Sequence, residues 1–183
     1  MAVPPPAPTP KPALRRALRA ARAACPTRAV PPPSPFVSRL RPGLIVASYH
    51  PVGGEADPAA LVAAARDAGC AMALPHVIDR ETPLRFLQWD GGALSAGPFG
   101  LSQPASIAQE VPPDIILTPL VGFDRRGNRL GQGAGHYDRA FAAYPAAWRI
   151  GIALSVQEVE ALTPDPWDVP LHAVATEKEW IVP

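Results

Sequence analysis

A short aliphatic run that feeds a glycine-rich segment and then a helix constrains this chain more than any other feature. Asp114-Ile-Ile-Leu-Thr-Pro119 is apolar and closes on a proline, the pattern of a strand buried on both faces. Val121 to Gly135 follows, with Gly131, Gly133 and Gly135 at alternate positions. In Tyr137-Asp-Arg-Ala-Phe-Ala-Ala-Tyr144 the aromatics Tyr137, Phe141 and Tyr144 recur at helical spacing. Glycine tolerates positive φ and lets a ligand approach the main chain. The first amides of a helix have no internal partner and lie at the positive end of its dipole. The unit therefore reads as a phosphate cradle, with Arg125, Arg126 and Arg129 adding positive charge just upstream. The same residues also suit a flexible connection carrying a solvated arginine run. Their spacing is neither G-x-G-x-x-G nor a P-loop with Gly-Lys-Ser/Thr, so glycine count alone leaves both readings open.

Composition narrows the class. A chain of 183 residues supports one substantial core, so a single α/β domain is expected over residues 11–183. A formal net charge of +1 argues against nucleic acid as a partner and makes any positive potential local. No apolar run approaches the ~20 residues that cross a bilayer, and the N-terminus lacks the apolar core of a signal peptide. Cys25 and Cys70 lack metal-type spacing and read as reduced thiols of a cytoplasmic protein. Of the 26 prolines, several cluster before Lys11 and over residues 31–35. Residues 1–10 are expected to be a disordered, extended leader.

Lys11 to Ala24 reads as a helix rich in alanine, leucine and arginine, with Pro12 in its first turn and Leu14 and Leu18 docking it. Lys11, Arg15, Arg19 and Arg22 form a cationic stripe on it, which by periodicity alone is a solvated face. Gly43 to His50 reads as a buried strand, followed by a turn-rich loop carrying Glu55. Asp57-Pro58 starts the next helix and Gly69 stops it. Residues 70–75, 84–89, 148–154, 171–175 and 179–182 are further strands, and Ser155-Val-Gln-Glu158 reads as a capping box. Phe86 and Trp89 are read as core, with stacking on a flat ring as the other role open to them. Alternating strands and helices predict a three-layer α/β fold with a mainly parallel sheet and flanking helices. Ligands then sit beyond the carboxyl ends of the strands, where Tyr49, His50 and Glu55 would lie.

Gly122-Phe-Asp followed by Gly127-Asn-Arg-Leu-Gly-Gln-Gly-Ala-Gly-His-Tyr-Asp-Arg139 resembles the signature of the 5-formyltetrahydrofolate cyclo-ligase (methenyltetrahydrofolate synthetase) family. The likeness extends, more faintly, from about Lys11 to the C-terminus. It implies a Rossmann-like sheet and ATP-dependent cyclisation of 5-formyltetrahydrofolate to 5,10-methenyltetrahydrofolate. ADP and phosphate would be released by way of a phosphorylated formyl group, an iminium phosphate. It further implies ATP as co-substrate with Mg²⁺, a folate substrate with or without a polyglutamate tail, and a monomer away from membranes. By the same resemblance Lys11 and Arg15 would contact nucleotide phosphates, together with Arg129, Leu130, Gly131, Gln132, Gly133, Ala134, Gly135, His136 and Tyr137. Lys11, Arg129 and Tyr137 would carry catalysis, and Asp138 would hold Mg²⁺. Glu55 and Tyr137 would meet the folate, and His50 joins them by position alone. Arg19 and Arg22 are left as solvated.

Three positions depart from the family pattern: Gln132 where many relatives carry Arg, Gln103 where a Glu is common, and His172 where an acidic metal ligand is common. Imidazole suits Mg²⁺ poorly, so either Asp168 or water would fill that place, or Asp138 and the phosphates would mainly hold the metal. Other readings are a catalytically silent folate- or nucleotide-binding relative with a regulatory role, a sugar-phosphate isomerase-like enzyme, and an interaction module led by the proline-rich segment.

Overall fold

Aliphatic runs bounded by turn residues form the strands, and amphipathic stretches between them cover both faces of one sheet. The computed structural model describes residues 10–183. In chain order the elements are α1 (Lys11–Ala23), α2 (Ser34–Val37), β1 (Ile45–Ala47), α3 (Ala59–Asp67), β2 (Ala71–His76), β3 (Arg85–Gln88), β4 (Ser95–Ala96) and β5 (Ser102–Gln103). Then follow β6 (Ile115–Pro119), β7 (Gly122–Phe123), β8 (Arg129–Leu130), α4 (His136–Ala143), β9 (Trp148–Ile152), β10 (Ala173–Ala175) and β11 (Trp180–Ile181). Seven strands make the main sheet in the order β11-β10-β9-β6-β1-β2-β3. The five inner strands run parallel, and β3 and β11 close the edges antiparallel. The mainly parallel α/β architecture expected from the strand–helix alternation is present.

Alternate side chains of each inner strand point to opposite faces, so both faces must be covered. Val46, Ile115, Leu117 and Ile150 pack with Phe36 of α2 and Leu61 of α3. Ala47, Ile116, Phe86 and Val174 pack with Ala140 and Phe141 of α4 on the other side. Burial of each such aliphatic side chain stabilises by about 1.5–3 kcal/mol. A smaller cluster joins Leu18 of α1 to Val121, Leu130 and Leu162, which seats α1 over the β7–β8 hairpin.

β2 and β3 lie on one side of β1, whereas β6, β9 and β10 lie on the other. The winding direction therefore reverses between β1 and β6, and a crevice opens beyond their carboxyl ends.

Several local expectations change. The strand read over Gly43 to His50 is only Ile45–Ala47, because the chain leaves the sheet to form the crevice. The segment after β6 is not one long loop, since residues 122–130 pair as a hairpin. Ser155 and Glu158 do not form a capping box. Ser155 Oγ donates to Glu177, and the turn is capped instead by Gln157, whose Oε1 accepts from the Leu154 amide at 2.8 Å. Phe86 is fully buried and Trp89 packs into the core, so neither offers a ring to a ligand. The leader expected over residues 1–10 lies outside the described residues except for Pro10, whose carbonyl accepts the Leu14 amide at 3.1 Å. Among the described residues no helix is long and apolar enough to cross a membrane.

Candidate active site

The crevice is a cleft of about 1120 Å³. Lys11, Arg15, Arg19 and Arg22 reach it from α1, and Tyr49, His50, Gly53 and Glu55 from the loop after β1. Arg129 to Gly135 follow from β8 and the glycine loop, with His136, Tyr137 and Asp138 from the first turn of α4. Every residue proposed from the sequence for nucleotide, folate or metal thus lines one cavity. Pro75, Val77, Leu84, Phe99 and Leu101 make part of it apolar. Asp165, Trp167 and Asp168 border it beside Lys11.

Local chemistry sets these positions. Asp124 is fully buried and accepts from the Arg126 amide (3.0 Å), the Asn128 amide (3.0 Å), Asn128 Nδ2 (2.9 Å) and the Leu162 amide (2.9 Å). One carboxylate thereby fixes the hairpin turn and the direction in which β8 delivers Arg129. Beyond β8 the backbone turns through Gly133 (φ +105) and Gly135 (φ +69), conformations that L side chains rarely adopt. The amides of Gln132, Gly133, Ala134 and Gly135 donate to no protein acceptor among the described residues. They precede the open amides of α4, so the loop presents a row of unengaged donors.

Cations stand around that row. Arg15 Nε donates to the Gly131 carbonyl at 2.8 Å, which ties α1 to the loop. Arg129 Nη2 donates to Asp138 Oδ1 at 2.6 Å, and both side chains are largely buried. Arg129 Nε, His136 Nε2 and Arg139 Nε are buried without a partner among the described residues. Lys11 Nζ pairs with Asp165 at 2.5 Å and lies 3.6 Å from Asp168.

Glu55 is 8% exposed; its Oε1 accepts from Gln132 Nε2 at 3.3 Å and its Oε2 from the Val52 amide at 3.1 Å. Burial raises its pKa, against the lowering effects of those two bonds and of Arg22. Burial also raises the Tyr137 pKa, with Glu55 adding to the effect, so the phenol stays neutral. Burial and the neighbouring Arg139 lower the His136 pKa. His50 is exposed and makes no side-chain hydrogen bond among the described residues.

A sequence model of the 5-formyltetrahydrofolate cyclo-ligase family matches residues 36–177, a span that holds the β1 loop, the hairpin and the glycine loop. The chain belongs to that family. A 5-formyltetrahydrofolate cyclo-ligase of Mycolicibacterium smegmatis is 33% identical over 151 residues, covering 76% of this chain and 77% of that protein. The Haemophilus influenzae 5-formyltetrahydrofolate cyclo-ligase is 43% identical over 82 residues, and the chain spans only 44% of its length. The solved structure of Aquifex aeolicus 5,10-methenyltetrahydrofolate synthetase superposes with a TM-score of 0.71 at 27% identity, covering 94% of this chain and 92% of that one.

Within this cyclo-ligase fold the departures from the family pattern acquire locations. Gln103 is 6% exposed and pairs with the Val77 main chain, its Oε1 accepting from the amide at 3.0 Å and its Nε2 donating to the carbonyl at 3.2 Å. A glutamate could not donate that second bond, so Gln103 works as a structural pin. His172 is absent from the cleft. It sits at the amino end of the sheet, where its Nδ1 accepts from the Arg149 amide at 3.0 Å. Neither departure touches the cavity.

Of the three hairpin arginines only Arg129 reaches the cleft. Arg125 pairs with Glu158 (2.7 Å) and Glu179 (2.6 Å), and Arg126 is exposed. Arg22, expected to be solvated, is 3% exposed and donates to the carbonyls of Gly53 (3.0 Å) and Leu120 (3.4 Å). Arg19 is exposed, as a solvated residue would be, yet it donates to Gln132 Oε1. Asp165, Trp167, Arg80 and Phe99 were not foreseen as cleft residues; they lie in loops without periodicity, so no pattern marks them.

Proposed function

We propose that the cleft closes 5-formyltetrahydrofolate to 5,10-methenyltetrahydrofolate at the expense of ATP, releasing ADP and phosphate. The observation that carries this reading is the meeting, in one cavity, of a row of unengaged amides and cations with a partly apolar region beside a buried carboxyl group. The first suits a triphosphate and the second a reduced pterin with its aromatic ring.

A formyl oxygen on nitrogen is a poor leaving group. Transfer of the γ-phosphoryl group to it breaks the bond to ADP and leaves an iminium phosphate at N5. N10 then attacks the formyl carbon and loses its proton, and the carbon–oxygen bond breaks as phosphate departs with the formyl oxygen. Phosphoryl transfer of this kind needs positioning and charge neutralisation more than covalent help. Lys11, Arg15 and Arg129 would hold phosphate oxygens beside the amides of Gly131 to Gly135. To do so Lys11 must exchange Asp165 for phosphate. Tyr137 would lie between nucleotide and folate, with Glu55 and His50 on the folate side.

Asp138, Asp165 and Asp168 supply the carboxylate oxygens that Mg²⁺ prefers, although each already faces a cation or a backbone donor. Among the described residues no three metal-binding side chains gather at one point, so Asp138 and Asp168 would hold the ion jointly with the phosphates. When bound, Mg²⁺ neutralises phosphate charge. The protein would act as a monomer, on a substrate with or without a polyglutamate tail. Two free cysteines fit a reducing cytoplasm.

The test is spectrophotometric: 5-formyltetrahydrofolate is mixed with the protein, with and without Mg-ATP, and methenyl product is followed by absorbance. Product that needs ATP is expected. Folate binding without ATP-dependent product would instead establish the silent, regulatory relative. The departures at Gln103 and His172, which would favour that alternative, both lie outside the cavity lining.

A further inference from the structure

Three side chains from three elements form one chain of hydrogen bonds across the cleft. Arg19 of α1 donates to Gln132 Oε1, Gln132 Nε2 donates to Glu55 Oε1 at 3.3 Å, and Glu55 Oε2 accepts from the Val52 amide at 3.1 Å. Chemistry fixes the direction of the amide. A guanidinium only donates, so it must face the amide oxygen, and this leaves the NH₂ group for the carboxylate. Flipping the amide would set donor against donor and acceptor against acceptor. Arg22, on the same helix, fastens the same loop by donating to the Gly53 carbonyl at 3.0 Å.

We propose that Gln132 is a positioning residue that couples the two halves of the cleft, so that nucleotide on the glycine loop tightens folate binding through Glu55. The inference rests on the cyclo-ligase reading given above. Gln132 lies in the loop whose amides lack protein acceptors among the described residues, between the carbonyl held by Arg15 and the φ +105 turn at Gly133. Internal bonds therefore restrain the main chain at Gln132 weakly. Phosphate oxygens seated on those amides hold it, and with it the side chain that orients the Glu55 carboxyl group. The folate then meets an ordered acid rather than one it must order itself, which lowers the entropy lost on binding. By linkage, folate must tighten nucleotide by the same factor.

Calorimetric titration of 5-formyltetrahydrofolate, with and without saturating Mg²⁺ and a β,γ-imido analogue of ATP, measures the coupling directly. In the unaltered protein the analogue should lower the folate Kd about tenfold, within the usual range for coupled sites. In Gln132→Leu the factor should fall below about twofold, with the analogue held saturating relative to the variant's own Kd for it. Arg19→Leu, which removes the support of the amide oxygen, should weaken the coupling in the same direction. Gln132 and Arg19 are both exposed, so thermal melts should match those of the unaltered protein. Equal folate affinity with and without the analogue in the unaltered protein, or full coupling in both variants, would overturn the inference while leaving ATP-dependent turnover intact. Absence of folate binding and of methenyl product would overturn the cyclo-ligase reading itself.

Discussion

Val121 to Leu130 and Gly131 to Gly135 are consecutive in the chain, yet they treat their polar groups in opposite ways. The hairpin completes its own bonds: one buried carboxylate, Asp124, takes four donors. The loop leaves four successive amides open. Arginines follow the same division. Arg125 is saturated by Glu158 and Glu179 at the surface, whereas Arg129 is buried against Asp138 with its Nε unpaired. An unsatisfied buried donor costs about 1–3 kcal/mol, a cost that an incoming anion can remove. The hairpin is thus a device for stability, and the loop beside it is one for binding.

Exchanging the two kinds of residue tests that division. Lys11→Ala should lower turnover about 10³-fold, the scale of a charge-stabilising group in phosphoryl transfer. It should barely move the unfolding midpoint, because the acids it pairs with, Asp165 and Asp168, keep 45% and 23% of their side-chain surface, and exposed pairs contribute at most about 1 kcal/mol. Asp124→Ala should do the reverse. It deprives the buried Leu162 amide and the part-buried donors of Arg126 and Asn128 of their acceptor, so urea denaturation should report a loss of about 3 kcal/mol, while turnover per folded molecule, which depends on Asp124 only through the setting of Arg129, should fall far less than in Lys11→Ala. Normal turnover in the first variant, or normal stability in the second, breaks the contrast.

What the sequence made legible follows the range of the interactions involved. β6 was readable because Ile115, Ile116 and Leu117 are apolar on both faces. The helix α4 was readable because Tyr137 and Phe141 share a face. The glycine loop was readable because positive φ is a local demand. The hairpin was not, since its lock depends on Asp124 meeting the Leu162 amide, 38 residues away. Arg19 and Arg22 look alike on the helical stripe; only carbonyls from two other segments distinguish the buried one. Asp165 and Trp167 lie between prolines, where no period exists to place them.

Gly133→Ala probes the loop more gently. A Cβ there would meet only the Arg15 guanidinium, at 3.6 Å, an ordinary contact, so the cost lies in the φ of +105. Strain of about 1–2 kcal/mol should raise the KM for ATP about tenfold as the amides shift. Gly43 offers the control, having φ +88 and open space around it, far from the cleft. Gly43→Ala should lose similar stability and leave the ATP KM alone. Equal KM effects in both variants would mean that the loop has no special relation to nucleotide.

The smallest effect concerns Glu55, where binding is served at the expense of stability. Its folded pKa is raised by burial, so the folded state holds the proton more tightly than the unfolded chain does. Stability therefore falls as pH rises from the ordinary carboxylate value through the folded pKa, and the penalty is complete above it. Glu55→Gln removes that dependence. Near the ordinary carboxylate pKa the variant and the unaltered protein should melt together, and towards neutral pH the variant should gain about 2 °C, the scale of a fraction of 1 kcal/mol in a chain of this size. His76, His136 and His172 also titrate abnormally but are common to both proteins, so the difference between melts isolates residue 55. Folate affinity should fall in the same variant. A variant less stable than the unaltered protein at neutral pH would mean that Arg22, Gln132 and the Val52 amide outweigh burial, and that Glu55 belongs with Asp124 rather than with the loop.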